Sequence, residues 1–103
     1  MTDQTTQRDT DTHLLSLLRR GAENVRSSYE LSEKTGLPQR SVGFAMSRLR
    51  REGHAIGSIH GEGYYILQTE AELGQTIAHI ERRKAGIDAT IRALTEAFHK
   101  DTV

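Results

Sequence analysis

Glycine residues divide the middle of the chain into short segments, and this division limits the fold more than any other feature of the sequence. Three stretches, which end before Gly21, Gly36 and Gly53, are each long enough only for a short helix. After Gly53 the apolar residues no longer follow a helical period. The pattern therefore predicts three short helices followed by an element of another kind.

Local signals give the bounds of the three helices. A run of leucines predicts the first from Thr12 to Arg20. A capping box, Ser27-Ser28-Tyr29-Glu30, opens the second, which ends at Thr35, and the third follows Pro38. The buried face of the third helix is predicted from one apolar stripe: Val42, Ala45, Met46 and Leu49.

Two segments outside these helices have other patterns. Residues 55–59 and 64–67 are rich in β-branched and aromatic side chains, and His60-Gly61-Glu62-Gly63 joins them, which predicts a β-hairpin. Residues 1–11 have no apolar side chain after Met1 and are predicted to be a disordered tail. The ordered domain is thus predicted to span residues 12–68.

A second capping box, Thr69-Glu70-Ala71-Glu72, opens a long helix that is predicted to reach about His99. Its apolar residues alternate in steps of four and three, as in a heptad repeat. The positions are Leu73, Ile77, Ile80, Lys84, Ile87, Ile91, Leu94 and Phe98, with Lys84 in place of an apolar residue. Such a stripe is about 45 Å long at the rise of an α-helix, which is longer than a domain of this size can cover. Residues 69–100 are therefore predicted to form a coiled coil with a second copy, the alternative being a helix folded back on its own domain.

The direction of this pairing stays open. In a parallel pair Arg83 faces Asp88 of the other copy, but the two Lys84 side chains meet. An antiparallel pair separates the lysines and brings Glu81 near Asp88 of the other copy. Each effect is worth about half a kcal/mol, so the preference for the parallel pair is slight.

The order of the elements resembles a known family. The segments SSYELSEKTGLPQRSVGFAMSRLRREG (27–53) and AIGSIHGEGYYI (55–66) resemble winged helix-turn-helix modules of the kind found at the N-terminus of the biotin repressor. The matching motifs are Gly36-Leu37, Arg48-Leu49-Arg50, Gly53 and Gly61-Glu62-Gly63-Tyr64, within about residues 13–67. The resemblance implies a mainly α fold, three helices plus a two-stranded wing, that binds double-stranded DNA through its third helix. The chain departs from the family at Glu62, because such wings often carry Lys or Arg at the tip and a carboxylate repels phosphate.

The outward face of the third helix carries the predicted base contacts. Opposite Val42 lie Arg40, Phe44, Ser47 and Arg51, and Gln39 and Gly43 flank the N-terminal end. Arg40 is suited to guanine and Gln39 to adenine, and Gly43 permits a close backbone approach. Phe44 is predicted either to contact thymine methyl groups or to pack against another part of the same chain.

Basic and small polar residues around this face are predicted to contact phosphates. Arg48, Arg50 and Arg51 end the third helix, where they also suit its dipole, and Arg26, Ser27 and Ser28 begin the second. The complete predicted DNA-binding set is Arg26, Ser27, Ser28, Gln39, Arg40, Ser41, Gly43, Phe44, Ser47, Arg48, Arg50, Arg51, His60 and Gly61.

Charge is unevenly distributed, although the formal net charge is zero. Residues 12–53 carry eight Lys and Arg against four Glu, whereas residues 1–11 and 54–103 each have a net charge of −2. A basic middle favours a nucleic-acid-binding surface there. The alternative is a solvated surface that is merely uneven.

Other classes of function lack a motif. The chain has no cysteine, its five histidines have no metal-site spacing, and no catalytic set is apparent. It is therefore predicted not to be an enzyme and to use no metal, cofactor or small-molecule effector. No apolar run is long enough for a membrane, and the polar N-terminus does not resemble a signal peptide. The expected location is the cytoplasm of a bacterial or phage-infected cell, at the nucleoid.

The sequence predicts a homodimeric, sequence-specific transcriptional regulator, most simply a repressor. One alternative is a protein-interaction adaptor built on the winged fold, which the zero net charge, Glu62 and an exposed Phe44 favour. Another is a non-specific architectural or replication-associated DNA binder.

Overall fold

The computed structural model describes the backbone of residues 3–102 and the side chains of residues 7–100. Over this range the elements are α1 (Asp3–Leu17), a 3₁₀ turn (Ala22–Asn24), α2 (Ser28–Thr35), α3 (Gln39–Arg51), β1 (Ile56–Ile59), β2 (Gly63–Ile66) and α4 (Glu70–Thr102). The predicted order of helices, one antiparallel hairpin and a long last helix is confirmed. None of these helices is long and apolar enough to cross a membrane.

The core lies between α1, α2, α3 and one face of the hairpin. Leu31 from α2 is fully buried, and Leu37, Tyr64 and Ile66 pack around the edge of the cluster. The predicted apolar stripe of α3 is buried, as expected. The buried members of the cluster are Leu14, Leu18, Leu31, Val42, Ala45, Met46, Leu49 and Ile56.

The first helix begins much earlier than predicted. It starts at Asp3 rather than at Thr12, so the prediction of a disordered tail is wrong for residues 3–11, while residues 1 and 2 lie outside the described part. Asp11 is buried, and its carboxylate accepts two hydrogen bonds from the guanidinium of Arg48. Once Leu14 and Asp11 fix the C-terminal part, the unfavourable nucleation step is complete, and each further helical residue adds one hydrogen bond.

The first helix also ends earlier than predicted, at Leu17 rather than at Arg20. The carbonyl of Arg19 accepts from the amide of Ile66 at 2.7 Å, and the amide of Gly21 donates to the carbonyl of Ile66 at 2.9 Å. Pairing with β2 therefore takes the backbone groups that a longer helix would use.

The hairpin packs on both faces. Ile56 faces Ile66 across the ladder, and Gly57 faces Tyr65. Because alternate residues of a strand point to opposite faces, Tyr65 lies on the side away from Tyr64 and Ile66, where it is fully buried. A Cβ at Gly57 would lie 2.6 Å from Cζ of Tyr65, so the ring occupies the space that the glycine leaves.

The helix α4 is joined to the domain only near its start. The predicted Thr69–Glu72 capping box is confirmed, since the Thr69 hydroxyl accepts from the Glu72 amide at 3.1 Å and the Glu72 carboxylate accepts from the Thr69 amide at 3.2 Å. That carboxylate also accepts from the amides of Gln68 and Ala22. One turn on, the buried Thr76 hydroxyl accepts from the amide of Ser58 in β1 at 3.2 Å.

Beyond this junction α4 extends into solvent. Every residue from 80 to 100 is exposed, so the alternative of a helix folded back on its own domain is wrong for that part. The apolar heptad side chains stay exposed along the helix, with exposures that range from 39 % at Ile80 to 69 % at Leu94. The side chains that meet the domain, Thr76 and His79, lie on a neighbouring face of the helix.

Candidate nucleic-acid interface

The outward face of α3 is open to solvent. Gln39, Arg40 and Arg51 are exposed on it, opposite the buried Val42 and Met46. Phe44 is 65 % exposed, so the expectation that it packs against another part of the chain is wrong. The face thus presents an amide, two guanidinium groups and an aromatic ring to solvent.

A groove of about 870 Å³ separates this face from the hairpin turn. The start of α2 lines the groove, and α4 borders it through His79 and Arg83. The predicted DNA-binding residues that the structure brings together in it are Ser27, Ser28, Gln39, Arg40, Gly43, Phe44, Ser47, Arg50, His60 and Gly61.

The start of α2 is capped by the Ser27 hydroxyl as predicted, but the other half of the predicted capping box does not form. The Ser27 hydroxyl accepts from the amide of Glu30 at 3.0 Å. The Glu30 carboxylate, expected to reach back to the Ser27 amide, binds the Arg26 guanidinium at 2.6 Å. Arg26 does not line the groove, and its guanidinium is paired with Glu30.

Two arginines predicted at the phosphate walls are held within the chain. The guanidinium of Arg48 pairs with Asp11 and does not line the groove. Arg50 lines the groove, but its Nε donates to the carbonyl of Ile56 at 2.8 Å and its Nη2 donates to the Ser58 hydroxyl at 3.1 Å. Arg51 is exposed at the end of α3, and it and the half-buried Ser41 lie outside the groove.

The hairpin turn is held close to α2 by backbone pairing. The amide and carbonyl of Arg26 exchange hydrogen bonds with those of Tyr64, each 2.9 Å long. Gly63 has a φ of +133°, and a Cβ there would collide with the carbonyl of Arg26. Only glycine fits at this close approach of the hairpin to the start of α2.

Several side chains that line the groove were not predicted to do so, and two of them, Ser58 and Ile59, belong to β1. Tyr29, which is 61 % exposed, and Tyr64 border α2 and β2, and His79 and Arg83 come from α4. The spacing of Thr76, His79 and Arg83 places them on one helical face beside the heptad stripe. This second, polar stripe is the sequence signal that could have placed His79 and Arg83 at the groove.

Positive charge gathers on the hairpin side of the groove. Burial lowers the pKa of Arg50, and the neighbouring Arg83 lowers it further. Burial also lowers the pKa of His79, helped by His60 and by nearby arginines. Among the described residues that line the groove, Glu62 is the only carboxylate.

The described residues include no cluster of histidine and acidic side chains that could hold a metal ion. The arrangement instead offers an open helical face with hydrogen-bond donors, bordered by cations. Comparison of the chain with protein-family models, with curated proteins and with solved structures found no match in any of the three.

Proposed function

We propose that the chain is a winged helix-turn-helix module that binds double-stranded DNA and recognises sequence through α3. The observation that carries this proposal is the open face of α3 beside a groove bordered by cations. An α-helix with its side chains is about 10–12 Å wide and fits the DNA major groove, which is about 12 Å wide.

The backbone of the helical part supports the proposal. Between α2 and α3 the chain turns sharply at Gly36, whose φ of +79° ends α2, and Pro38 precedes α3. The hairpin that follows α3 corresponds to a wing. In this arrangement Gln39 and Arg40, at the exposed N-terminal end of α3, contact base edges.

The start of α2 supplies a backbone contact. Ser27 and Ser28 line the same groove as Gln39 and Arg40. Hydroxyl groups and amides at a helix start bind phosphate oxygens, which position the protein without selecting sequence.

The proposed active form is a homodimer joined through α4. The heptad side chains Ile87, Ile91, Leu94 and Phe98 are each more than half exposed. Because the face of α4 that meets the domain is a different one, a second helix has access to the heptad stripe. Two modules so joined fit a repressor that binds a repeated DNA site.

Selection of bound sequences from a random duplex pool tests DNA recognition. The expected result is an enriched motif that occurs twice. Binding without enrichment would instead support the non-specific DNA binder, whose affinity falls steeply with salt on every sequence.

A protein-interaction adaptor is the second candidate. The observation that favours it is the pair of exposed rings in the groove, Phe44 at 65 % and Tyr29 at 61 % exposure, since aromatic residues are enriched at protein interfaces. An electrophoretic shift assay on random duplexes at low salt separates the two. Absence of binding at micromolar protein would exclude the DNA-binding function.

A further inference from the structure

Four cationic or ionisable side chains converge where α4 passes the hairpin. Arg50 comes from α3, His60 from the hairpin turn, and His79 and Arg83 from α4, and all four line the groove. The His60 and His79 rings lie 5.3 Å apart between centroids, tilted by 51°. We call these four residues the α4–wing cluster.

The cluster is built on fixed backbone. The two hydrogen bonds to Ile56 and Ser58 hold the Arg50 guanidinium against β1. The amide of Ser58 donates to Thr76, one turn before His79, and so fixes α4 against the same strand. The packing of α3 and α4 against β1 therefore fixes the positions of these side chains.

The cluster has no internal counter-charge. The ion pairs found over residues 7–100 join Arg26 to Glu30 and Arg48 to Asp11, and neither involves the cluster. Gathering like charges in this way costs free energy that a bound anion would recover. Glu62 lies on the same hairpin turn and weakens, without cancelling, the positive potential.

We propose that the α4–wing cluster binds a backbone phosphate of DNA, so that α4 itself contacts DNA. This inference rests on the proposed DNA-binding function and adds a phosphodiester site to it. The site lies on the flank of the wing and on α4, while the wing tip carries the repelling Glu62. Arg83 and Arg50 supply permanent charge, and His79 adds charge when protonated.

The His79 imidazole makes the contact depend on pH. Burial and the surrounding cations favour the neutral form of His79, and a phosphate in the cluster favours the charged form. Binding therefore takes up protons, and affinity rises as the pH falls through the range in which histidine titrates. The groups that face His79 are Arg50 from α3, His60 and Glu62 from the hairpin turn, Tyr64 from β2, and Arg82 and Arg83 from α4.

The test measures binding of a labelled random-sequence duplex to the full chain by fluorescence anisotropy over a salt series. Arg83→Ala is expected to weaken binding about tenfold and to reduce the slope of log affinity against log salt by about 1. The loss should be equal on all sequences, and Arg83→Lys should restore the slope. His79→Ala should flatten the rise in affinity at lower pH, whereas His13→Ala, on exposed α1, should leave it unchanged.

The possible failures are distinguishable. If the wild-type chain binds no duplex, the proposed function is wrong and the phosphate site falls with it. If the wild type binds, but Arg83→Ala keeps the wild-type slope and His79→Ala keeps the wild-type pH profile, only the phosphate site is wrong. Light scattering of each variant checks the dimer. If Arg83→Ala dissociates the dimer, the pH profile of His79→Ala decides whether the phosphate site exists, because His79 lies off the heptad stripe.

Discussion

Asp11 and Arg48 form a two-pronged ion pair that joins α1 to α3. Nη2 of Arg48 lies 2.8 Å from Oδ1 of Asp11, and Nε lies 3.1 Å from Oδ2. The hydrogen bond to Asp11 also raises the pKa of Arg48. The pair occupies the guanidinium that the sequence assigned to DNA phosphate and ties it to a segment that the sequence assigned to a disordered tail.

Replacing Asp11 with Asn should lower the stability of the domain. The guanidinium then loses its charged partner, and because Arg48 remains partly in solvent the expected cost is only about 1 kcal/mol. The free energy of unfolding in urea measures it. Asp9→Asn, an exposed carboxylate on the same helix, is the matched control, and equal losses in the two variants would show that the ion pair contributes nothing.

Glu72 should make stability depend on pH. Hydrogen bonds from the amides of Ala22, Gln68 and Thr69 lower the pKa of this carboxyl. A group whose pKa is lower in the folded state stabilises the fold above its unfolded pKa, and this contribution disappears as the pH falls through the folded pKa. Glu72→Gln should therefore be less stable than wild type at neutral pH and approach it in acid.

Urea midpoints over a pH series give that comparison. Glu70→Gln, in the same first turn of α4, controls for loss of a carboxylate near the helix start. A constant gap between wild type and Glu72→Gln at every pH would contradict the assignment.

Arg40→Ala should weaken DNA binding at one base position. Loss of a two-pronged contact to guanine costs about 1–3 kcal/mol and relaxes the preference there. Affinities for a set of single-base variants of the selected site measure this. Arg92→Ala, an exposed arginine of α4 outside the groove, should bind as wild type, and an equal loss on all sequences for Arg40→Ala would argue for a phosphate contact instead.

Gly43→Ala should separate stability from binding. A Cβ at Gly43 meets only the Tyr64 hydroxyl, at an ordinary contact distance of 3.6 Å. The substitution should stabilise α3 by about 0.5–1 kcal/mol, because alanine favours a helix, and should weaken DNA binding by blocking close approach of the backbone. Gly86→Ala on α4 is the control, and it should raise stability in the same way without changing the affinity for DNA. If Gly43→Ala also left the affinity unchanged, this turn of α3 would lie away from the bases.

Ile91→Asp should break the proposed dimer. A carboxylate in the apolar seam would lose its hydration without gaining a partner, at a cost of about 3 kcal/mol or more. Light scattering is expected to show a monomer, and Ala89→Asp, which adds the same charge outside the heptad stripe, should remain a dimer. A wild-type chain that is already monomeric would remove the coiled coil from the proposal.

Sequence patterns were reliable where the determining interactions are local. The α3 stripe, the Ser27 hydroxyl cap and the Thr69–Glu72 box each depend on residues within about one or two helical turns, so spacing alone predicts them. The hairpin also follows from its own glycines and β-branched residues.

Tertiary contacts decided the rest. Pairing of Arg19 and Gly21 with β2 ends α1 early, and the contact of Asp11 with Arg48 orders the segment before it. These partners are distant in sequence, so the local periodicity of the sequence does not predict their contacts.

Which arginines are paired within the chain and which stay exposed also depends on tertiary contacts. The sequence by itself determined that basic residues gather between 12 and 53 and that a heptad stripe follows. Only the tertiary structure decided that Arg48 is held by Asp11, that Arg40 stays exposed, and that α4 brings His79 and Arg83 to the groove. The reason is physical: a charge is available to a ligand only if the fold has not already supplied its partner, and that depends on which distant residues the packing brings within hydrogen-bonding distance.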